Sequence, residues 1–79
     1  MNCLVCRADA EAIPTAGDFV ELVCPNCGHF RVSRSLLAVQ RGRVFDVEAT
    51  RRALELMPRR DGIPMLTTID EDLLREQSV

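Results

Sequence analysis

Seventy-nine residues with 47% apolar side chains and a net charge of −2 describe one small folded domain, and they exclude a disordered chain or a uniformly basic nucleic-acid binder. At this length a hydrophobic core alone supplies only about 3–5 kcal/mol, so a further staple is expected. There is no Trp or Tyr and there are three Phe (Phe19, Phe30 and Phe45), which leaves a largely aliphatic core. No apolar run reaches the length of a membrane span, and "MNCLVCRADAEA" lacks the basic-then-apolar order of a signal peptide. The expected compartment is therefore reducing cytoplasm, with no membrane partner, where cysteines serve as metal ligands or catalytic groups more often than as disulfides.

Charge is unevenly placed. Residues 1–30 hold one Arg against four acids, residues 31–60 hold eight Arg against three, and residues 61–79 hold one Arg against five. Any cationic surface must therefore be local.

The chain opens on the pair Cys3 and Cys6. "EAIPTAGDFVELV" follows and reads as a hairpin, with "PTAGD" as its turn and β-formers from Phe19 to Val23. The second pair, Cys24 and Cys27, is separated from the first by seventeen residues. Two such pairs at this spacing read as a zinc site, because four thiolates complete a tetrahedral shell around one cation that has no geometric preference of its own. Gly28 suits a positive-φ turn directly after the pair, and Pro25 stiffens it. "HFRVS" then alternates as a third short strand.

The CxxC–CPxCG pattern over residues 1–33 resembles a zinc ribbon, a fold in which two knuckles sit on a short three-stranded antiparallel sheet. The resemblance implies that Cys3, Cys6, Cys24 and Cys27 hold one structural zinc ion, and it leaves the biological role open. "CPNCG" is also similar to the second knuckle of rubredoxins, but those space their pairs more widely around an aromatic-rich core, so zinc is favoured over iron. A redox dithiol would sit at a helix start after a strand, which neither pair does. His29 is a surplus ligand beside a closed four-sulfur shell and reads as a solvent-facing histidine or a neighbour of the site.

Beyond Ser33 the period changes. Ser33 or Ser35 caps a short helix through "SLLAVQR" that Gly42 ends, and "GRVF" is briefly extended. Asp46 caps a clearer helix from Val47 to Met57. Glu48, Arg51, Arg52 and Glu55 form its narrow polar arc, with Glu48–Arg52 and Arg51–Glu55 at ion-pair spacing. Val47, Ala49, Ala53, Leu54, Leu56 and Met57 fill most of the rest, so burial on more than one side is expected. Pro58 and "RRDGIP" then form a connector. Thr68 and Glu71 have capping-box spacing for a last helix from Ile69 to Glu76, with Ile69, Leu73 and Leu74 inward.

The expected fold is α+β: a zinc ribbon over residues 1–33, then two to three short helices over residues 34–79 packed on it as one structural unit. The expected function is non-catalytic. One histidine in total, no Ser/His/Asp set and no glycine-rich phosphate loop argue against an enzyme. The favoured role is a protein-interaction or assembly module, acting on a protein partner or as a homo-oligomer through Val47, Leu54, Leu56 and Met57. The alternative is a nucleic-acid-binding ribbon contacting phosphates through Arg31, Arg34, Arg41, Arg43, Arg59 and Arg60.

Overall fold

The computed structural model describes residues 1–57 and 62–76. The expected α+β fold is present: strands and a cysteine cluster come first, and three helices follow. The strands are β1 (Glu11–Ile13), β2 (Phe19–Cys24), β3 (Gly28–Ser33), β4 (Arg43–Phe45), β5 (Met65–Leu66) and β6 (Leu74–Glu76). The helices are α1 (Arg34–Gln40), α2 (Val47–Leu56) and a 3-10 helix, Thr68–Leu73.

The hairpin and third strand form as the alternation requires. β1 pairs antiparallel with β2, and β2 with β3, placing Leu22 opposite Phe30 and Val20 opposite Val32. Strand geometry sends alternate side chains to opposite faces. Leu22, Cys24, Phe30 and Val32 therefore turn into the core, while Glu21 and Arg31 stand opposite each other on the outer face. A fourth strand was not expected. β5 joins the far edge of β3 in parallel, with Val32 beside Leu66 and the Arg31 N–H donating to the Pro64 carbonyl at 2.9 Å. Leu66 is wholly buried, so the strand is drawn into the sheet by a core contact that two residues of sequence pattern do not reveal.

Both α-helices start where the caps predict. The Ser33 Oγ accepts from the Leu36 N–H at 3.1 Å, and the Asp46 Oδ1 accepts from the Ala49 N–H at 2.9 Å. α2 is one residue shorter than expected, with Met57 as its C-cap. Its buried stripe also differs. Thr50 and Leu54, one turn apart, are its buried residues, whereas Leu56 is rotated by about 200° from Leu54 and is 78% exposed. The centre of the buried stripe is thus a polar residue, which hid its position from the apolar count.

The expected C-terminal α-helix over residues 69–76 is replaced by the 3-10 helix and β6. The helix starts one residue earlier than the Thr68/Glu71 spacing implied: the Thr67 N–H donates to the Asp70 Oδ2 at 2.9 Å. Residues 74–76 instead pair antiparallel with β4, where Leu74 lies opposite Phe45 and both are buried. In the tighter 3-10 winding, residues four apart no longer share a face. Ile69 is consequently expelled to 89% exposure rather than turned inward with Leu73.

One buried cluster unites these pieces: Cys3, Val5, Leu22, Cys24, Phe30 and Val32 from the first 33 residues meet Leu36, Phe45, Leu54, Leu66 and Leu74 from the rest.

Candidate metal centre

The sulfurs of Cys3, Cys6, Cys24 and Cys27 all lie within 4.8 Å of one another, and the Cys6 and Cys24 sulfurs are 3.4 Å apart. Zinc–sulfur bonds of about 2.3 Å in a tetrahedron require sulfur–sulfur edges of about 3.8 Å. The cluster is therefore gathered at the scale of one four-coordinate ion, and all four cysteines are free thiols.

The two knuckles are built alike. In the first, the Val5 N–H donates to the Cys3 sulfur at 3.4 Å; in the second, the Asn26 N–H donates to the Cys24 sulfur at the same distance. Each bond spans two residues and starts at the first cysteine of its pair. The residue after each second cysteine, Arg7 and Gly28, has positive φ, 66° and 88°. Cys3 and Cys24 are buried, while Cys6 and Cys27 reach partway to solvent. The Asn26 side chain adds a longer contact across the knuckles, from Nδ2 to the Cys6 sulfur at 3.9 Å.

Electrostatics within the cluster are strongly divided. The Cys6 thiol is lowered to about 6: burial opposes ionisation, but the Ala8 N–H and then the sulfurs of Cys24, Cys27 and Cys3 outweigh it. Burial, first of all, pushes the Cys27 thiol up, and the Cys6 sulfur adds to the effect. Burial likewise raises Cys3. Burial thus resists ionisation at Cys27 and Cys3 while Cys6 loses its proton more readily, and a cation held between the sulfurs would favour the charged form of each of the three.

His29 lies outside the cluster and turns to the outer face of the sheet. Its Nε2 donates to the Glu21 Oε2 at 2.6 Å, and the Arg31 Nε donates to the Glu21 Oε1 at 2.8 Å. The Arg31 guanidinium also stands 4.7 Å from the centre of the Phe19 ring. Arg31 is therefore committed within the fold, as is Arg43, which donates to the Glu71 Oε1 at 3.0 Å and the Val39 carbonyl at 2.6 Å. Arg34 is exposed at 4.0 Å from Asp18, and Arg41 is exposed at the end of α1. Arg59 and Arg60 lie outside the described residues. Of the apolar face drawn from the sequence, Leu54 is in the core and Met57 packs against it, leaving Val47 (40% exposed) and Leu56 at the surface.

Arg7, Asn26 and Thr50 were not anticipated. Arg7 has a legible signal, since it follows its CxxC pair as Gly28 follows the other. Among the described residues no helix is long and apolar enough to cross a membrane. No family model, curated protein or solved structure matches the chain.

Proposed function

We propose that the chain is a non-catalytic structural-zinc protein of a reducing, cytoplasmic compartment that works as a protein-interaction or assembly module. The observation that carries the zinc reading is the convergence of four sulfurs, with no histidine or carboxylate joining them among the described residues. Four thiolates favour zinc over harder cations, and four protein ligands close its shell. A zinc ion held by Cys3, Cys6, Cys24 and Cys27 supplies a cross-link between the two knuckles, not an open position for a substrate. Such ions contribute about 10–16 kcal/mol to small zinc-finger peptides at neutral pH.

The interaction reading rests on the apolar side chains left in solvent, Leu56 at 78% and Ile69 at 89% exposure. Elemental analysis of reduced protein tests the first part, with one zinc per chain expected and none sinking it. Sedimentation at several concentrations, with and without extract-derived partners removed, tests the second; a strict monomer that captures no protein removes it. The nucleic-acid alternative retains Arg34 and Arg41 among the described residues, and predicts binding that weakens steeply with salt.

A further inference from the structure

Residues 1–10 are held to the rest of the molecule in an unusual way. Their backbone bonds close on themselves: Cys3 N–H to the Ala8 carbonyl, Arg7 N–H to the Cys3 carbonyl and Ala10 N–H to the Met1 carbonyl, at 2.7, 3.0 and 2.8 Å. The Met1 ammonium donates back to the Ala10 carbonyl and lies 4.0 Å from Asp9, and Asn2 bridges to Asp9. Among the described residues, the hydrogen bonds that leave this segment are the Cys6–Cys24 sulfur contact and the Asn26 amide to the Cys6 sulfur. Each of these polar crossings involves a cysteine sulfur. Among the described residues, the other ties are the chain itself, the burial of Cys3 and Val5 in the core and the packing of Leu4, Cys6 and Ala10 against it.

β2 and β3 are anchored differently. They pair along six residues each, β3 carries β5 on its far edge, and Leu22, Phe30 and Val32 join a core completed by Leu36, Leu54 and Leu66. None of those contacts passes through a sulfur.

We infer that residues 1–10 form a metal-latched flap: loss of the ion from the four sulfurs releases this knuckle as a unit, while the β2–β3–β5 sheet and its helices stay folded. The inference rests on the structural-metal reading above. It makes the chain a device whose N-terminal segment reports metal occupancy. Release withdraws Cys3 and Val5 from the core and opens the apolar surface they cover.

Arg7 supplies the test, because it is exposed on the flap and is a trypsin site, whereas Arg31 is half-buried in β3 and bound to Glu21. Zinc-loaded and chelator-stripped protein, with metal content verified, are digested briefly and the fragments weighed. Cleavage after Arg7 is expected to accelerate by about tenfold or more on stripping, with cleavage after Arg31 unchanged. Amide exchange on the same samples is expected to lose protection in residues 1–10 and keep it at Leu22, Phe30 and Val32. The Cys6→Ser variant, read by the same fragments, should behave like stripped protein. If Arg31 opens together with Arg7, or if β2 and β3 lose protection with the flap, the latch is overturned because the ion then holds the whole fold. If verified removal changes neither site, the latch and the structural role of the metal fall together. Absence of metal from freshly prepared reduced protein overturns the zinc reading itself.

Discussion

Arg7 and Gly28 occupy equivalent places in the two knuckles, each directly after the second cysteine of its pair and each at positive φ. An L-residue with a Cβ is disfavoured in that region by about 1–2 kcal/mol, and glycine is not. One half of the cysteine cluster thus carries backbone strain that the other avoids. Arg7→Gly is expected to stabilise the metal-loaded protein by about 0.5–1 kcal/mol, the relief of strain being partly offset by the entropy of the unfolded chain. Gly28→Ala is expected to destabilise it by about 1 kcal/mol from conformation alone, since a Cβ there meets nothing within 4 Å. Denaturant midpoints of the two variants should move in opposite directions.

Thr50 presents a different debt. Its side chain is wholly buried in α2, and its Oγ1 has no hydrogen-bond partner among the described residues. A buried hydroxyl without a partner loses its hydration for no return. Replacing it with an apolar group of the same shape removes that cost, so Thr50→Val is expected to raise stability by about 1 kcal/mol. Thermal unfolding checks this, with a rise of about 4–8 °C expected for a domain of this size. Thr50→Ala lacks the second branch and should not reproduce the gain.

The outer face of the sheet sets an acid limit. Hydrogen bonds to Glu21, from Arg31 first and His29 second, hold its carboxyl below the ordinary value of 4.5, against a smaller opposing effect of burial. Because the folded value is depressed, the stabilisation is complete above the unfolded value and is lost as pH falls through the folded one. Acid also strips metal from thiolates, so Glu21→Gln must be compared with the native protein at each pH. The stability difference between the two is expected to shrink as pH falls below about 5 and Glu21 gains its proton. A difference that persists unchanged into strong acid contradicts the assignment.

Leu56 separates a folding role from a surface role. At 78% exposure it contributes little to the core, so Leu56→Ser should change the stability of the monomer by no more than about 0.5 kcal/mol. If α2 docks a partner or a second copy, the same variant should weaken that association, read by sedimentation. Leu54→Ala, in contrast, is expected to cost about 2–5 kcal/mol, because Leu54 is 3% exposed within the core.

The sequence disclosed what depends on near neighbours. Cysteine spacing marked all four members of the cluster, Gly28 marked its turn, and Ser33 and Asp46 marked two helix starts, because each effect acts across a few residues. It was silent where distant segments decide. Residues 65–66 become a strand only because Leu66 meets Val32, and residues 74–76 leave the helical pattern only because Leu74 meets Phe45. Counting apolar side chains around α2 misplaced its inner face, since Thr50 occupies the centre and Leu56 the outside. The arginines likewise looked available in sequence until Glu21 and Glu71 were brought to Arg31 and Arg43.

The parallel pairing of β5 with β3 carries a consequence for how the molecule is made. Arg31 and Val32 must wait for Met65 and Leu66, which leave the ribosome only after both intervening helices. The cysteines, the hairpin and the third strand are complete far earlier, so the four sulfurs can gather on the nascent chain while one border of the sheet is still bare. Such a border is a template for unwanted pairing with other chains. Translation order thus leaves this border of β3 unpaired between the synthesis of Ser33 and the arrival of Leu66.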